Sequence, residues 1–285
     1  MKYLKIIKII GVLAFLYILS LLDYKIVYES IKNLDFFYLF IYTLLWYLFF
    51  IIKVYRWHVV QNYFSRSLTF KQNFWVFLET IYLSYVTPGK IGDIARVWII
   101  KEHFDIDKKD TMIAYTFDRV QDLFFLIICA LFGLWFILDI EISNYIYIGL
   151  ILFIIIYILK NKFNIVRNIQ TDMNFEIKIF IINTIAFFFY FLQVYFLAKA
   201  MNLNIEYSFI VALVSISAIA TLIPISIGGL GVREGVFIYL LATIGVSKEE
   251  AVILSLLDNV VFIAIFIMIL HLFSKFYLKN KVGVN

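Results

Sequence analysis

Apolar residues in this chain come in long runs rather than in alternation. Six runs can each cross a bilayer as a helix: about Ile6 to Leu22, Phe36 to Ile52, Met112 to Leu138, Tyr145 to Leu159, Ile177 to Ala198 and Ala251 to Phe273. Barrel strands would instead alternate over segments of about 10 residues. Two further apolar regions, Phe74 to Ile100 and Tyr207 to Gly245, are each interrupted by a proline and glycines. The pattern predicts an all-α polytopic membrane protein with six full-span helices and two re-entrant or broken helical hairpins. Residues 1–285 form a single membrane domain in this reading. The first run starts near lysines as a signal peptide does, but no small-residue cleavage site follows, so it is expected to stay as a helix.

Composition agrees with a membrane protein. The chain is 64% hydrophobic and only 16% charged, with a mean hydropathy of +0.95, against roughly 25% charge in soluble domains. Cys129 is the sole cysteine, which excludes an intrachain disulfide and a cysteine metal cluster. His58, His103 and His271 have no paired spacing, and no metal site or cofactor is expected. A net charge of +5 raises nucleic acid as a partner, but basic residues in a membrane protein are topology signals.

Their placement fits that role. If both interrupted regions enter and leave on one side, sixteen lysines and arginines fall on the cytoplasmic side, among them Lys53 and Arg56, and four on the other. Both termini are then cytoplasmic, in a cytoplasmic (inner) membrane. Hairpins that crossed fully twice would give the same sidedness, so the charges leave their depth open.

The order helix, helix, broken hairpin, helix occurs twice, over 6–138 with its hairpin at 74–100 and over 145–273 with its hairpin at 207–245. Three full spans per half make the second half inverted, a recurring plan in transporters. Pro88 and Pro224, the only prolines, are 136 residues apart, and Ile6 and Tyr145 are 139 apart. Asp118-Arg119-Val120 is echoed by Asp258-Asn259-Val260.

The two breaks carry the chemistry. Pro88 and Pro224 end a helix by removing an N–H donor and clashing with the preceding turn, and Gly89 and Gly231 are the further break residues. Gly92, Gly228 and Gly229 let the backbone come close to a ligand. Each restarting helix presents free N–H groups and a positive dipole end, which suits phosphate or carboxylate. Lys90, Arg96 and Arg233 add full charge, and arginine binds phosphate oxygens bidentately. Asp93, Asp118, Arg119, Asp122 and Glu234 complete the candidate substrate-binding set. Asp118 and Asp122 stand four residues apart on one helical face with Arg119 beside them. They are read either as ligand contacts or as internal salt bridges. Neither a nucleophile with its base nor a nucleotide-binding loop is present, so no enzyme activity is expected.

At these residues the chain resembles the lysylphosphatidylglycerol synthase transmembrane-region family, also called flippase-like membrane proteins. The resemblance covers nearly the whole chain. It rests on Pro88-Gly89-Lys90-x-Gly92-Asp93-x-x-Arg96, on Asp118-Arg119-x-x-Asp122, and on Pro224-x-Ser226-x-Gly228-Gly229-Leu230-Gly231-Val232-Arg233-Glu234-Gly235. Members often carry Glu at the positions of Asp93 and Asp118 and an Arg near Asn259. The resemblance implies movement of lipids or support for their synthesis, on aminoacylated phospholipids or glycan carriers on isoprenoid phosphates. The fused synthases add a soluble aminoacyl-transferase domain, which the dozen or so residues after the last run are too few to form. The expected function is a flippase-like transporter of an anionic phospholipid or isoprenoid-phosphate-linked glycolipid. The alternatives are a small-anion or solute transporter and a non-catalytic membrane partner of a lipid-carrier glycosyltransferase. Partners are then membrane lipids and lipid or glycan biosynthesis enzymes, with no nucleic acid.

Overall fold

The computed structural model describes residues 13, 15–85, 87–138, 171–223, 226 and 228–261. The run expected at Tyr145 to Leu159, most of the first run before residue 15, the last run beyond residue 261 and Pro224 lie outside the described residues. Among the described residues there is no β-strand.

The helices are α1 (Tyr24–Lys32), α2 (Phe36–Phe64), α3 (Phe70–Tyr85), a 3₁₀ turn (Ile91–Ala95), α4 (Arg96–Phe104), α5 (Lys108–Leu138), α6 (Met173–Ala200), α7 (Tyr207–Ala220), α8 (Val232–Ala242) and α9 (Lys248–Leu256). A π-helical turn, Leu257–Val261, continues α9. Aspartates start several of them: the carboxylates of Asp23, Asp35 and Asp172 accept from the N–H groups of Lys25 (2.9 Å), Phe37 (2.8 Å) and Phe175 (2.7 Å). By length and composition α2 and α6 are each able to cross a membrane, and they lie side by side.

Two features depart from the sequence expectation. The segment after the first run contains a short capped helix, α1, where a connection was expected. More consequentially, α2 runs 29 residues to Phe64, about 43 Å at 1.5 Å per residue. It therefore outlasts a hydrocarbon core of about 30 Å, and Lys53 and Arg56 lie buried within it rather than in a cytoplasmic connection.

Packing forms two cores, each built from helices that flank one break. Trp46, Phe50, Trp57, Phe77, Ile100 and Phe117 tie α2 to α3, α4 and α5. Phe187, Phe191, Val194, Leu213, Phe237 and Leu254 join α6 to α7, α8 and α9. The cores meet where α5 packs on α7, at a contact close enough to demand glycine. A Cβ on Gly133 would lie 2.3 Å from the Cβ of Ala212, the close backbone approach that small residues permit between membrane helices. Gly133→Val is expected to lower stability by about 1–3 kcal/mol, the usual range for overpacking, read as a lower thermal unfolding midpoint in detergent.

Candidate functional site

The first break opens where α3 ends at Tyr85. Gly89 (φ 58°) and Lys90 (φ 57°) both take the left-handed conformation, which reverses the chain before the 3₁₀ turn. The Thr87 hydroxyl donates to the Leu83 carbonyl (2.8 Å) and accepts from the Gly92 N–H (2.7 Å). The second break lies between α7 and α8, with Gly228, Gly229 and Gly231 at φ 60°, 85° and 83°. Here the Gly231 N–H donates to one Glu234 oxygen (2.6 Å), and the Ser255 hydroxyl donates to the other (2.8 Å). The N–H groups of Gly92 and Gly231 are thus capped by the protein's own side chains. That corrects the expectation that Gly92 offers a free N–H to a ligand: a threonine five residues earlier already satisfies it.

A buried ionic cluster surrounds the first break. Arg56, 0% exposed, donates from Nη1 to Asp122 (2.5 Å) and to Asn183, and from Nη2 to the Asp118 carboxylate (2.6 Å). Lys53 shares the same Asp122 oxygen at 2.5 Å. Arg96 pairs with Asp93 and lies 3.7 Å from Asp118. Its guanidinium is boxed by Trp57 (4.4 Å), Phe77 (4.9 Å) and Tyr115 (5.6 Å). Arg119 reaches Asp118 (2.6 Å), Asp93 (3.1 Å) and Asp122 (3.5 Å), and about a third of its side chain stays exposed.

A smaller cluster serves the second break. Arg233 pairs with Asp258, whose other oxygen accepts from the Tyr42 hydroxyl at 3.1 Å. Asn259 Nδ2 donates to the Gly228 carbonyl at 3.2 Å. Both Asp258 and Asn259 belong to the π turn, a geometry frequent at functional sites. The two clusters follow one scheme: the arginine in the first turn of the helix after each break faces an aspartate of the next helix, Arg96 with Asp118 and Arg233 with Asp258.

The breaks touch each other. A Cβ on Gly228 would lie 2.8 Å from the carbonyl oxygen of Tyr85, the last residue of α3, so only glycine fits there. Lys90 stands between the clusters. Its ammonium lies 5.6 Å from the Tyr85 ring centre, interacts with the charges of Arg233, Arg119, Asp258 and Asp93, and makes no ion pair with any described residue.

Residues 5–270 match the family described as the lysylphosphatidylglycerol synthase TM region. The chain belongs to that family. It is also similar to a UPF0104 membrane protein of Methanocaldococcus jannaschii, with 28% identity over 225 residues that cover 70% of this chain and 95% of the relative. In this lysylphosphatidylglycerol synthase TM region protein, the structure brings Asp93, Arg96, Asp118, Arg119 and Asp122 into one cluster. It sets Arg233, Gly228, Gly229 and Glu234 around the other break, with Pro88, Gly89 and Lys90 at the first. Lys53, Arg56, Tyr42, Asn183, Ser255 and Asn259 were missed. Only the first two had a signal in the sequence: two cations three residues apart, about one helical turn, as Asp118 and Asp122 at four residues also are.

Proposed function

We propose that this protein is a lipid translocase of the cytoplasmic membrane that passes an anionic phospholipid or isoprenoid-phosphate lipid between leaflets without altering it chemically. The fold in this proposal has six full spans with two opposed hairpins in an inverted repeat, over 6–138 and 145–273, and both termini in the cytoplasm. The observation that carries it is the contact of the two breaks at Gly228 and Tyr85, with Lys90 beside it lacking an ion-pair partner among the described residues. A half-buried cation between two interrupted helices fits a phosphate. The matching Arg96–Asp118 and Arg233–Asp258 pairs support the repeat.

The roles within the site follow from exposure. Lys90 and Arg119 have capacity to meet the head group, and so does Arg233 through its Nε, which has no hydrogen-bond partner among the described residues. Arg96, 1% exposed and enclosed by three rings, holds Asp93 and Asp118 in position for them. With Gly228 against Tyr85 the site is closed, and parting of the breaks opens it to one side at a time.

The test uses protein reconstituted in vesicles containing a fluorescent anionic phospholipid, with a membrane-impermeant quencher reading leaflet exchange. Wild type should speed exchange well above protein-free vesicles, and Lys90→Gln should slow it by at least about tenfold, the equivalent of about 1.4 kcal/mol in the barrier. Exchange no faster than in empty vesicles for every anionic lipid tried would overturn the proposal.

A further inference from the structure

Among the described residues, several polar atoms around the meeting point of the breaks are buried without a hydrogen-bond partner: Arg233 Nε, Ser226 Oγ and Asn259 Oδ1. Arg233 Nε, like the Lys90 ammonium, is a donor and suits phosphate oxygens. Asn259 Oδ1 differs, because it only accepts. Its orientation is fixed by chemistry, since the partner of the amide is the Gly228 carbonyl, which takes a hydrogen bond only from Nδ2. The amide oxygen is therefore the free end, in a residue 4% exposed. A buried acceptor without a donor is costly, and a ligand that supplies the donor removes that cost. Phosphate oxygens accept and cannot do so.

We infer that Asn259 is a specificity-determining residue: it selects an anionic lipid whose head group carries, beyond its phosphate, a hydroxyl or amine hydrogen-bond donor. The inference rests on the lipid reading above. Placement supports it, because the neighbouring Asp258 holds Arg233, so one π turn fixes the phosphate-binding cation and presents the acceptor beside it. A head group with a donor close to its phosphate, as in a glycerol or sugar phosphodiester, is the chemistry that suits both groups. Ser226, with its buried hydroxyl, adds a group able to donate or accept at the same break. A site with a committed polar partner discriminates strongly against an analogue that lacks the matching group.

Two lipids of equal charge separate donor recognition from simple attraction. Phosphatidylglycerol carries free hydroxyls, whereas phosphatidylmethanol is the same phosphodiester anion with none. Binding of each to the full chain is measured in nanodiscs of choline lipid, by displacement of a fluorescent anionic lipid. Wild type should bind phosphatidylglycerol about tenfold more tightly, the effect expected of one buried hydrogen bond, and in Asn259→Leu the ratio should fall to about one. Equal binding of the two lipids by wild type, or an undiminished ratio in the variant, would overturn the inference and leave the lipid reading standing. The wild-type comparison decides the matter even if the variant does not fold. If neither anionic lipid displaces the probe better than the choline lipid does, both the lipid reading and this inference fall together.

Discussion

Arg56→Met is expected to destabilise the protein by about 3–5 kcal/mol, the range for removing one partner of a buried ion pair. Arg56 is wholly buried and ties three helices, since its bonds run from α2 to Asp118 and Asp122 on α5 and to Asn183 on α6. Methionine keeps the stem and most of the volume, so the loss reports on charge rather than on a cavity. Two carboxylates then keep only Lys53, Arg96 and Arg119 as counter-charges. Asp118→Asn added to Arg56→Met should recover part of the loss, because it removes one of the stranded charges. A residue in a solvated cytoplasmic connection would behave otherwise, with a change inside about 0.5 kcal/mol. Thermal unfolding in detergent at matched lipid content distinguishes the two outcomes.

The second large effect concerns Arg233 and Asp258, where structure and transport separate. Asp258→Leu alone leaves the Arg233 guanidinium buried and unpaired and should cost about 3–5 kcal/mol. Arg233→Met with Asp258→Leu removes both charges and should fold with stability within about 1–2 kcal/mol of wild type, because well-packed apolar replacements of a buried pair are often neutral. Its lipid exchange should nevertheless fall at least about a hundredfold, some 2.7 kcal/mol in the barrier, since the guanidinium donor at the second break is gone. Stability by unfolding and exchange in vesicles are read on the same preparation. A double variant that exchanges lipid at the wild-type rate would reduce the pair to a packing element.

The sequence made the breaks and much of the first cluster legible. Proline and glycine have few places inside apolar helices, so Pro88 with Gly89 and the run Gly228-Gly229-Leu230-Gly231 mark the interruptions directly. Asp118 and Asp122 stand out because carboxylates are rare in such runs, and the partnership of Asp122 with Arg119 follows from helical spacing. Lys53 and Arg56 were expected in a connection rather than in a buried helix for a physical reason: an apolar run that ends at Ile52 looks like the end of a span, and basic residues just beyond a span ordinarily belong to a cytoplasmic connection. Nothing in the run shows that the helix continues to Phe64 or that carboxylates of α5 lie across from it. Tyr42 was hidden differently, as one of 20 tyrosines in a chain where most aromatic residues are apolar bulk. Thr87 and Ser255, which take up capping duties at the two breaks, depend on a three-dimensional fit that spacing does not encode. The pairing of Asp258 with Arg233 was foreshadowed only by the echo of Asp118-Arg119-Val120 in Asp258-Asn259-Val260.

In the proposed translocase, two opposed breaks share one site that opens to either side in turn. Thiol accessibility at the breaks tests it most directly, with Lys90→Cys and Ser226→Cys introduced singly after Cys129→Ser has removed the native thiol. A membrane-impermeant thiol reagent is applied from each side of sealed vesicles, with and without an anionic phospholipid. Position 90 is expected to react from the cytoplasmic side and position 226 from the opposite side, with the lipid slowing the reaction at position 226, where Lys90 is intact. Labelling of both positions from the same side, or a rate at position 226 that the lipid does not change, would contradict a shared site.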